Sequence, residues 1–223
     1  MQLIRSMLCA LALCALAAGA CASPADPKAG VEYLVLPVAQ NTEPDKAVEV
    51  IEFFAYYCPH CNAFEPVLAG WLKRQGANVV FKRVHVSRDI SVAPQQRLFF
   101  TLEALGLLEQ YHARVFSAMH EQRLRLSSDE QVFDWAEQAG IERKKFIDAY
   151  RSFGVQAKLR RADAMMGAYH IDQWPMLAID GRWLTSPSQA NEGMSVPQSE
   201  QQQQQSALQV MDILVARAKA EKK

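Results

Sequence analysis

The sequence predicts an α/β fold carrying an all-helical insertion, on three observations. Residues 48–54 and 79–86 are runs rich in Val, Phe and Ile flanking one helical segment. Strand, helix and strand at these lengths form a βαβ unit with parallel strands. Between about residues 94 and 169 the apolar spacing turns helical almost throughout. Residues 176–184 then read as strand, tight Asp180-Gly181 turn and strand, a hairpin signature.

Taken in order, a polar, Pro-containing stretch leads to a first strand at residues 31–36 and a turn at 41–46. Residues 48–54 lack polar/apolar alternation, as expected of a strand covered on both faces. A Cys58-Pro59-His60-Cys61 run follows and opens a helix whose apolar positions are Phe64, Val67, Leu68, Trp71 and Leu72, with Pro66 expected to kink it. In the helical block, Leu98, Leu102 and Leu105 mark one stripe, and Tyr111, Val115, Phe116 and Met119 another. Ser128 is a candidate N-cap and Gly140 a stop. Two more helices are expected at residues 143–153 and 155–169. Residues 185–205, with two prolines and a glutamine run, read as a solvated loop. Ala207, Val210, Met211 and Leu214 mark a closing amphipathic helix with Asp212 on its polar side.

The 223 residues are 50% hydrophobic and 22% charged, ordinary for a globular domain. The 24 basic and 24 acidic residues balance, so charge offers no argument for a nucleic-acid partner. Arg5 precedes an apolar run at residues 7–18, and small residues follow through Ala22. This pattern predicts a signal peptide at residues 1–22, cut after Ala22, and one domain at 23–223. The alternative is a lipoprotein cut before Cys21, although Ala18 stands where a lipobox usually has Leu. Either way the protein is exported.

Of five cysteines, Cys9, Cys14 and Cys21 lie in or at the end of the leader, which leaves Cys58 and Cys61 to each other. A disulfide spanning a two-residue gap constrains little of an unfolded chain, so the pair suits chemistry better than reinforcement. At a helix start, unsatisfied N–H groups and the dipole favour a thiolate at Cys58, and Cys61 lies one turn along to resolve a mixed disulfide. His60 can add a donor or positive charge beside Cys58. Stabilising the reduced form makes the disulfide more oxidising. Cys58 is expected to be exposed and Cys61 buried. Zinc would need two further ligands, and no second CxxC follows, so neither a metal nor a cofactor is expected.

Glu52-Phe53-Phe54-Ala55-Tyr56-Tyr57, the CPHC run, and Asn62, Ala63, Phe64 and Glu65 resemble the DsbA family of periplasmic disulfide oxidoreductases. The resemblance covers nearly all of the mature chain. It implies a thioredoxin fold with an inserted helical subdomain, working as a monomer in the periplasm. It further implies that reduced, unfolded exported proteins are the substrates and that a DsbB-like membrane protein reoxidises the enzyme.

By the same resemblance, Trp174-Pro175 stands where a cis-proline faces the disulfide. Trp174 departs from the small β-branched residue expected there; it would wall the substrate groove or alter the potential. Glu52 falls at the place of a buried acid that takes up the buried thiol's proton. Arg83 or Lys82 could partner it, and the resemblance favours Arg83, which cannot release a proton as lysine can. His85 reads as a satisfied structural histidine. Two alternatives stay open. One is a disulfide isomerase or reductase, a class that dimerises through an additional domain for which no segment here is long enough. The other is a thioredoxin-like binding or chaperone module whose cysteines are incidental.

Overall fold

Five strands form one mixed sheet in the order β1-β5-β4-β2-β3 in a computed structural model that describes residues 26–43 and 46–222. The expected leader, with Cys9, Cys14 and Cys21, lies outside the described residues. The strands are β1 (Leu34–Val35), β2 (Val48–Phe54), β3 (Val79–His85), β4 (Met176–Ile179) and β5 (Trp183–Thr185). β2 pairs with β3 in parallel and with β4 antiparallel. The parallel pair is joined by helix α1 (Pro59–Gln75), the βαβ unit read from the sequence.

Five helices separate β3 from β4: α2 (Ala93–Ala104), α3 (Leu108–His120), α4 (Asp129–Gln138), α5 (Arg143–Tyr150) and α6 (Phe153–Ala168). Helix α7 (Glu200–Glu221) follows the hairpin. This is a thioredoxin fold with a helical insertion. Ser128 caps α4 by accepting the Gln131 N–H, and Gly140 ends it in the left-handed region at φ 94. Asp180 and Gly181 turn the hairpin with φ 51 and φ 63. Two successive positive φ values match the right-handed twist of the strands they join, with the Arg182 N–H closing the turn on the Ile179 carbonyl.

All seven residues of β2 are buried, and alternate ones feed different layers. Val48 and Val50 pack with Phe64, Leu68 and Trp71 of α1 and with Met211 and Leu214 of α7. Ile51 and Phe53 pack toward the helical insertion, with Leu98, Phe99 and Tyr169. By the two-residue period, Glu52 shares the face of Val48 and Val50 and so points under α1.

Two details differ from the sequence reading, and a third adds to it. The glutamine run is not a loop: residues 201–205 form the first turns of α7, and the segment between β5 and Ser199 is irregular apart from a 3₁₀ turn at Gln189–Asn191. A reciprocal capping box accounts for this, since the Ser199 hydroxyl accepts the Gln202 N–H while the Gln202 side chain accepts the Ser199 N–H at 2.8 Å. Asp212 lies on the exposed side of α7 as expected, and its placement adds a detail the sequence did not show: its Oδ1 accepts bonds from Trp71 Nε1 at 2.7 Å and Gln75 Nε2 at 2.6 Å, tying α7 to α1. Finally, the helix expected at 143–153 stops at Tyr150, because Ser152 accepts the Val155 N–H and starts α6 at Phe153.

Candidate active site

Cys58 is the N-cap of α1, and Pro59 occupies the first helical position, where its missing N–H costs nothing. The Cys58 Sγ accepts the Cys61 backbone N–H at 3.4 Å. Trp174 and Pro175 are joined by a cis peptide, and the Cys58 thiol meets the Trp174 carbonyl oxygen at 3.7 Å. Both cysteines are free thiols in this structure. The expected exposure of Cys58 is corrected: it is only 5% accessible, against 0% for Cys61, and the Trp174 carbonyl oxygen lies 3.7 Å from its sulfur.

The two thiols are driven in opposite directions. Cys58 titrates at about 6, lowered first by the Cys61 thiol as a hydrogen-bond donor and then, against burial, by the backbone N–H groups of Cys61 and His60. Burial pushes Cys61 well above an ordinary thiol, and its bond to Cys58 pushes it further. One sulfur is therefore an anion at neutral pH while the other holds its proton. Such a pair can exchange a disulfide with another thiol, with Cys58 as the attacking and leaving sulfur.

His60 contributes less directly than its sequence position suggests. Its backbone N–H and its charge both lower Cys58, but the imidazole Nδ1 sits 2.7 Å from Glu200 Oε1 at the start of α7. That carboxylate, through its hydrogen bond first, raises the His60 pKa and favours the charged ring.

Glu52 and Arg83 are register partners across the parallel β2–β3 ladder, which places their side chains on one face. Arg83 Nε donates to Glu52 Oε2 at 3.1 Å. Lys82, the other candidate partner, instead bridges Glu43 and Glu49. Glu52 is completely buried, and its Oε1 has no hydrogen-bond partner. Burial, reinforced by the charge of Glu65 and offset in part by Arg83, raises its pKa to about 8. An ionised Glu52 is close enough to Cys61 to push that thiol up as well.

Glu65 is a site residue the sequence reading quoted without a role. It follows Cys61 by four positions, so both lie on one stripe of α1, and that spacing was the available signal. Arg83 Nη2 donates to both of its oxygens, at 3.2 and 3.0 Å. Tyr56 was also missed, and no pattern marks it. Three histidines hold it. His85 Nε2 accepts its backbone N–H at 3.1 Å, His120 Nε2 donates to its carbonyl at 2.7 Å, and its hydroxyl meets His112 Nδ1 at 2.9 Å. His85 is a satisfied histidine, its Nδ1–H donating to the Val86 carbonyl, and burial lowers its pKa to about 3. The Trp174 ring meets Tyr57 edge-on at 6.2 Å beside Cys58. Among the described residues, no cluster of three or more His, Cys, Asp or Glu is arranged to hold a metal.

Comparison with known proteins agrees with this geometry. Residues 49–209 match the DSBA-like thioredoxin domain family. The thiol:disulfide interchange protein DsbA of Burkholderia cepacia is 37% identical over 223 residues, covering 99% of each chain. Its namesake from Bordetella parapertussis is 40% identical over 179 residues, covering 79% of this chain and 85% of that one. The crystal structure of Pseudomonas aeruginosa DsbA superimposes with a TM-score of 0.78 at 27% identity, covering 88% of this chain and 96% of that chain.

Proposed function

This chain belongs to the DSBA-like thioredoxin domain family and is a thiol:disulfide oxidoreductase, and we propose that it works in the oxidising direction, through Cys58 and Cys61, on exported proteins in the periplasm. The observation that carries this direction is the opposed acidity of the two thiols. A Cys58 that titrates at about 6 makes the reduced form favourable at neutral pH and hence the disulfide a strong electron acceptor.

In the cycle, a substrate thiolate attacks Cys58 Sγ of the Cys58–Cys61 disulfide. A mixed disulfide forms and Cys61 leaves as a thiolate. The high proton affinity of Cys61 then draws a proton from Glu52. A second substrate thiolate attacks the substrate sulfur of the mixed disulfide, and Cys58 departs as a stable thiolate. The substrate has lost two electrons and two protons, and the enzyme has gained both electrons. Reoxidation returns the Cys61 proton by way of Glu52 once Glu52 has released its own proton to solvent, and a DsbB-like membrane partner takes the electrons. The Trp174 carbonyl beside the cis-Pro175 offers a main-chain acceptor to an extended substrate, and the Trp174 and Tyr57 rings an apolar wall. Pro59 fixes the helix start, His60 adds charge, and Arg83 anchors the Glu52 carboxyl without itself carrying the proton.

The test is the reduction potential of the Cys58–Cys61 pair against glutathione, with the unfolding free energy of both redox forms. A potential well above thioredoxin's, with the reduced form more stable, is expected. A thioredoxin-like potential with the oxidised form more stable overturns the oxidant reading.

A further inference from the structure

Beneath the two cysteines, a single run of side chains crosses from the helical insertion to the acid under Cys61. The Tyr56 hydroxyl lies 2.9 Å from His112 Nδ1, and His112 Nε2 lies 3.0 Å from Glu65 Oε1. Arg83 Nη2 donates to Glu65 at 3.0 Å, and its Nε is shared between Glu65 at 3.3 Å and Glu52 at 3.1 Å. The first four members come from the loop before Cys58, α3, α1 and β3, and the run ends on β2.

The direction of each bond follows from what each group can do. Arg83 only donates. It sits between two carboxylates, and like charges at one site disfavour ionising both. The structure must therefore decide which carboxyl keeps a proton. His112 is almost fully buried and enclosed by Phe54, Tyr56, Phe99 and Phe116, with ring centroids 5.2, 5.3, 6.3 and 5.2 Å away. Such a cage disfavours an imidazolium. A neutral ring has one N–H. The Tyr56 hydroxyl can serve Nδ1 as a donor, which leaves the proton on Nε2, aimed at Glu65. Glu65 then receives donors from both His112 and Arg83. Glu52 receives only the shared Arg83 Nε, and its Oε1 is buried without a partner.

We infer that His112 is a positioning residue for the redox reaction: held by Tyr56 in its Nε2–H form, it fixes Glu65 as the anion beside Arg83 and so leaves the proton on Glu52, under Cys61. The inference rests on the reading of Glu52 as the group that exchanges a proton with Cys61. The other titratable or charged groups facing this cluster are Cys58 and Cys61 on α1, His85 on β3 and Glu109 on α3's own turn. His85 is fully buried with both ring nitrogens already bonded, so it does not supply the Glu65 donor.

The protein labelled with carbon-13 at the glutamate carboxyl carbons tests this directly. Glu52→Gln and Glu65→Gln assign the two resonances, and each is titrated in the reduced wild type, His112→Leu, His112→Gln and Tyr56→Phe. In the wild type, Glu52 is expected to stay protonated through neutral pH while Glu65 is ionised. In His112→Leu the order reverses, the Glu52 midpoint falling by about one unit or more as Glu65 takes the proton. His112→Gln keeps a donor near the Nε2 position and restores the wild-type order. Tyr56→Phe keeps the ring packing and serves if His112→Leu does not fold. Without the hydroxyl the Nε2–H form is no longer enforced from the Nδ1 side, so the Glu52 midpoint falls here too, by less than in His112→Leu. A Glu52 midpoint unmoved in these variants overturns the inference, and leaves the Glu52 reading intact if Glu52→Gln still slows proton exchange at Cys61. An unaffected exchange rate in Glu52→Gln overturns that reading and this inference with it.

Discussion

The imidazole of His60, between the two cysteines, is held by Glu200: Nδ1 and Oε1 are 2.7 Å apart although the residues lie 140 positions apart in the chain. The side chain that sequence spacing assigns to the thiolate is thus shared with a carboxylate at the start of α7. Glu200→Gln is expected to lower the His60 pKa toward that of an ordinary histidine, since the Glu200 bond is the first cause of its rise. The Cys58 pKa should rise slightly as His60 loses charge near neutral pH. Proton NMR titration of the His60 ring and ultraviolet titration of the thiolate measure both. Because the pair is exposed, added salt should shrink the difference. A His60 midpoint unchanged in the variant counts against the pairing.

The Cys58 thiolate makes the stability of the reduced protein depend on pH. Its folded pKa of about 6 lies below the ordinary thiol value of 9.0. Between these values the unfolded chain binds more protons, so stability rises with pH; the contribution is complete above 9 and is lost as pH falls through 6. At neutral pH it amounts to roughly 1 kcal/mol. Urea unfolding of the dithiol form across this range, with Cys58→Ser as the reference, should show the slope only where the thiol is present. Cys61→Ala should raise the Cys58 pKa, because the Cys61 thiol is the first cause of its depression.

Glu52 acts with the opposite sign. Its folded pKa of about 8 exceeds the usual 4.5, so the folded state holds the proton that the unfolded chain releases, and stability falls as pH rises between the two values. Glu52→Gln should therefore stabilise the reduced protein near neutral pH, by about 3 kcal/mol, with no gain near pH 4. Activity should move the other way, with slower reoxidation. Denaturant melts at both pH values, paired with reoxidation kinetics, decide the matter; a variant less stable at neutral pH contradicts it.

Trp174 lies against Cys58, a residue only 5% exposed. Trp174→Ala leaves a backbone carbonyl in place for the Cys58 thiol but removes the ring that meets Tyr57. Alkylation of Cys58 by a small reagent should quicken severalfold at fixed thiolate fraction. Binding of an apolar peptide substrate should weaken as the aromatic wall is lost. An unchanged alkylation rate would show that the Trp174 backbone, and not its ring, shields Cys58.

The legible parts of the molecule were those with local causes. Val48–Phe54 forms the strand its β-branched and aromatic residues imply, and Ser128, Gly140 and Asp180-Gly181 end or turn elements by chemistry contained within a few residues. The Ser199–Gln202 capping box was equally local, but five consecutive glutamines obscured the helix that it opens. The site divides in the same way. Cys58 at a helix start was readable from the motif. Arg83 as the partner of Glu52 was readable from the family resemblance, while the partner of His60 was set by α7, which no spacing along the chain expresses. His112 lies beside Tyr111 in a helix whose stripe reads as core, so only the packing of α3 against α1 and the Tyr56 loop reveals its bonds.

Helix α7 gives the order of synthesis a chemical meaning. Its first turn supplies Glu200 to His60, its middle supplies Asp212 to Trp71, and its end supplies Glu221 and Lys222 to Arg182 and Asp180 of the hairpin turn. Until this helix docks, the face of β2 and β4 that holds Val48, Val50, Leu177 and Ile179 is covered by α1 alone of the two helices that pack on it. Among the described elements α7 comes last in the chain, so the sheet receives this cover only after all of them have been made. An incomplete chain exposes its own hydrophobic sheet before its cysteines have the surroundings that make them selective.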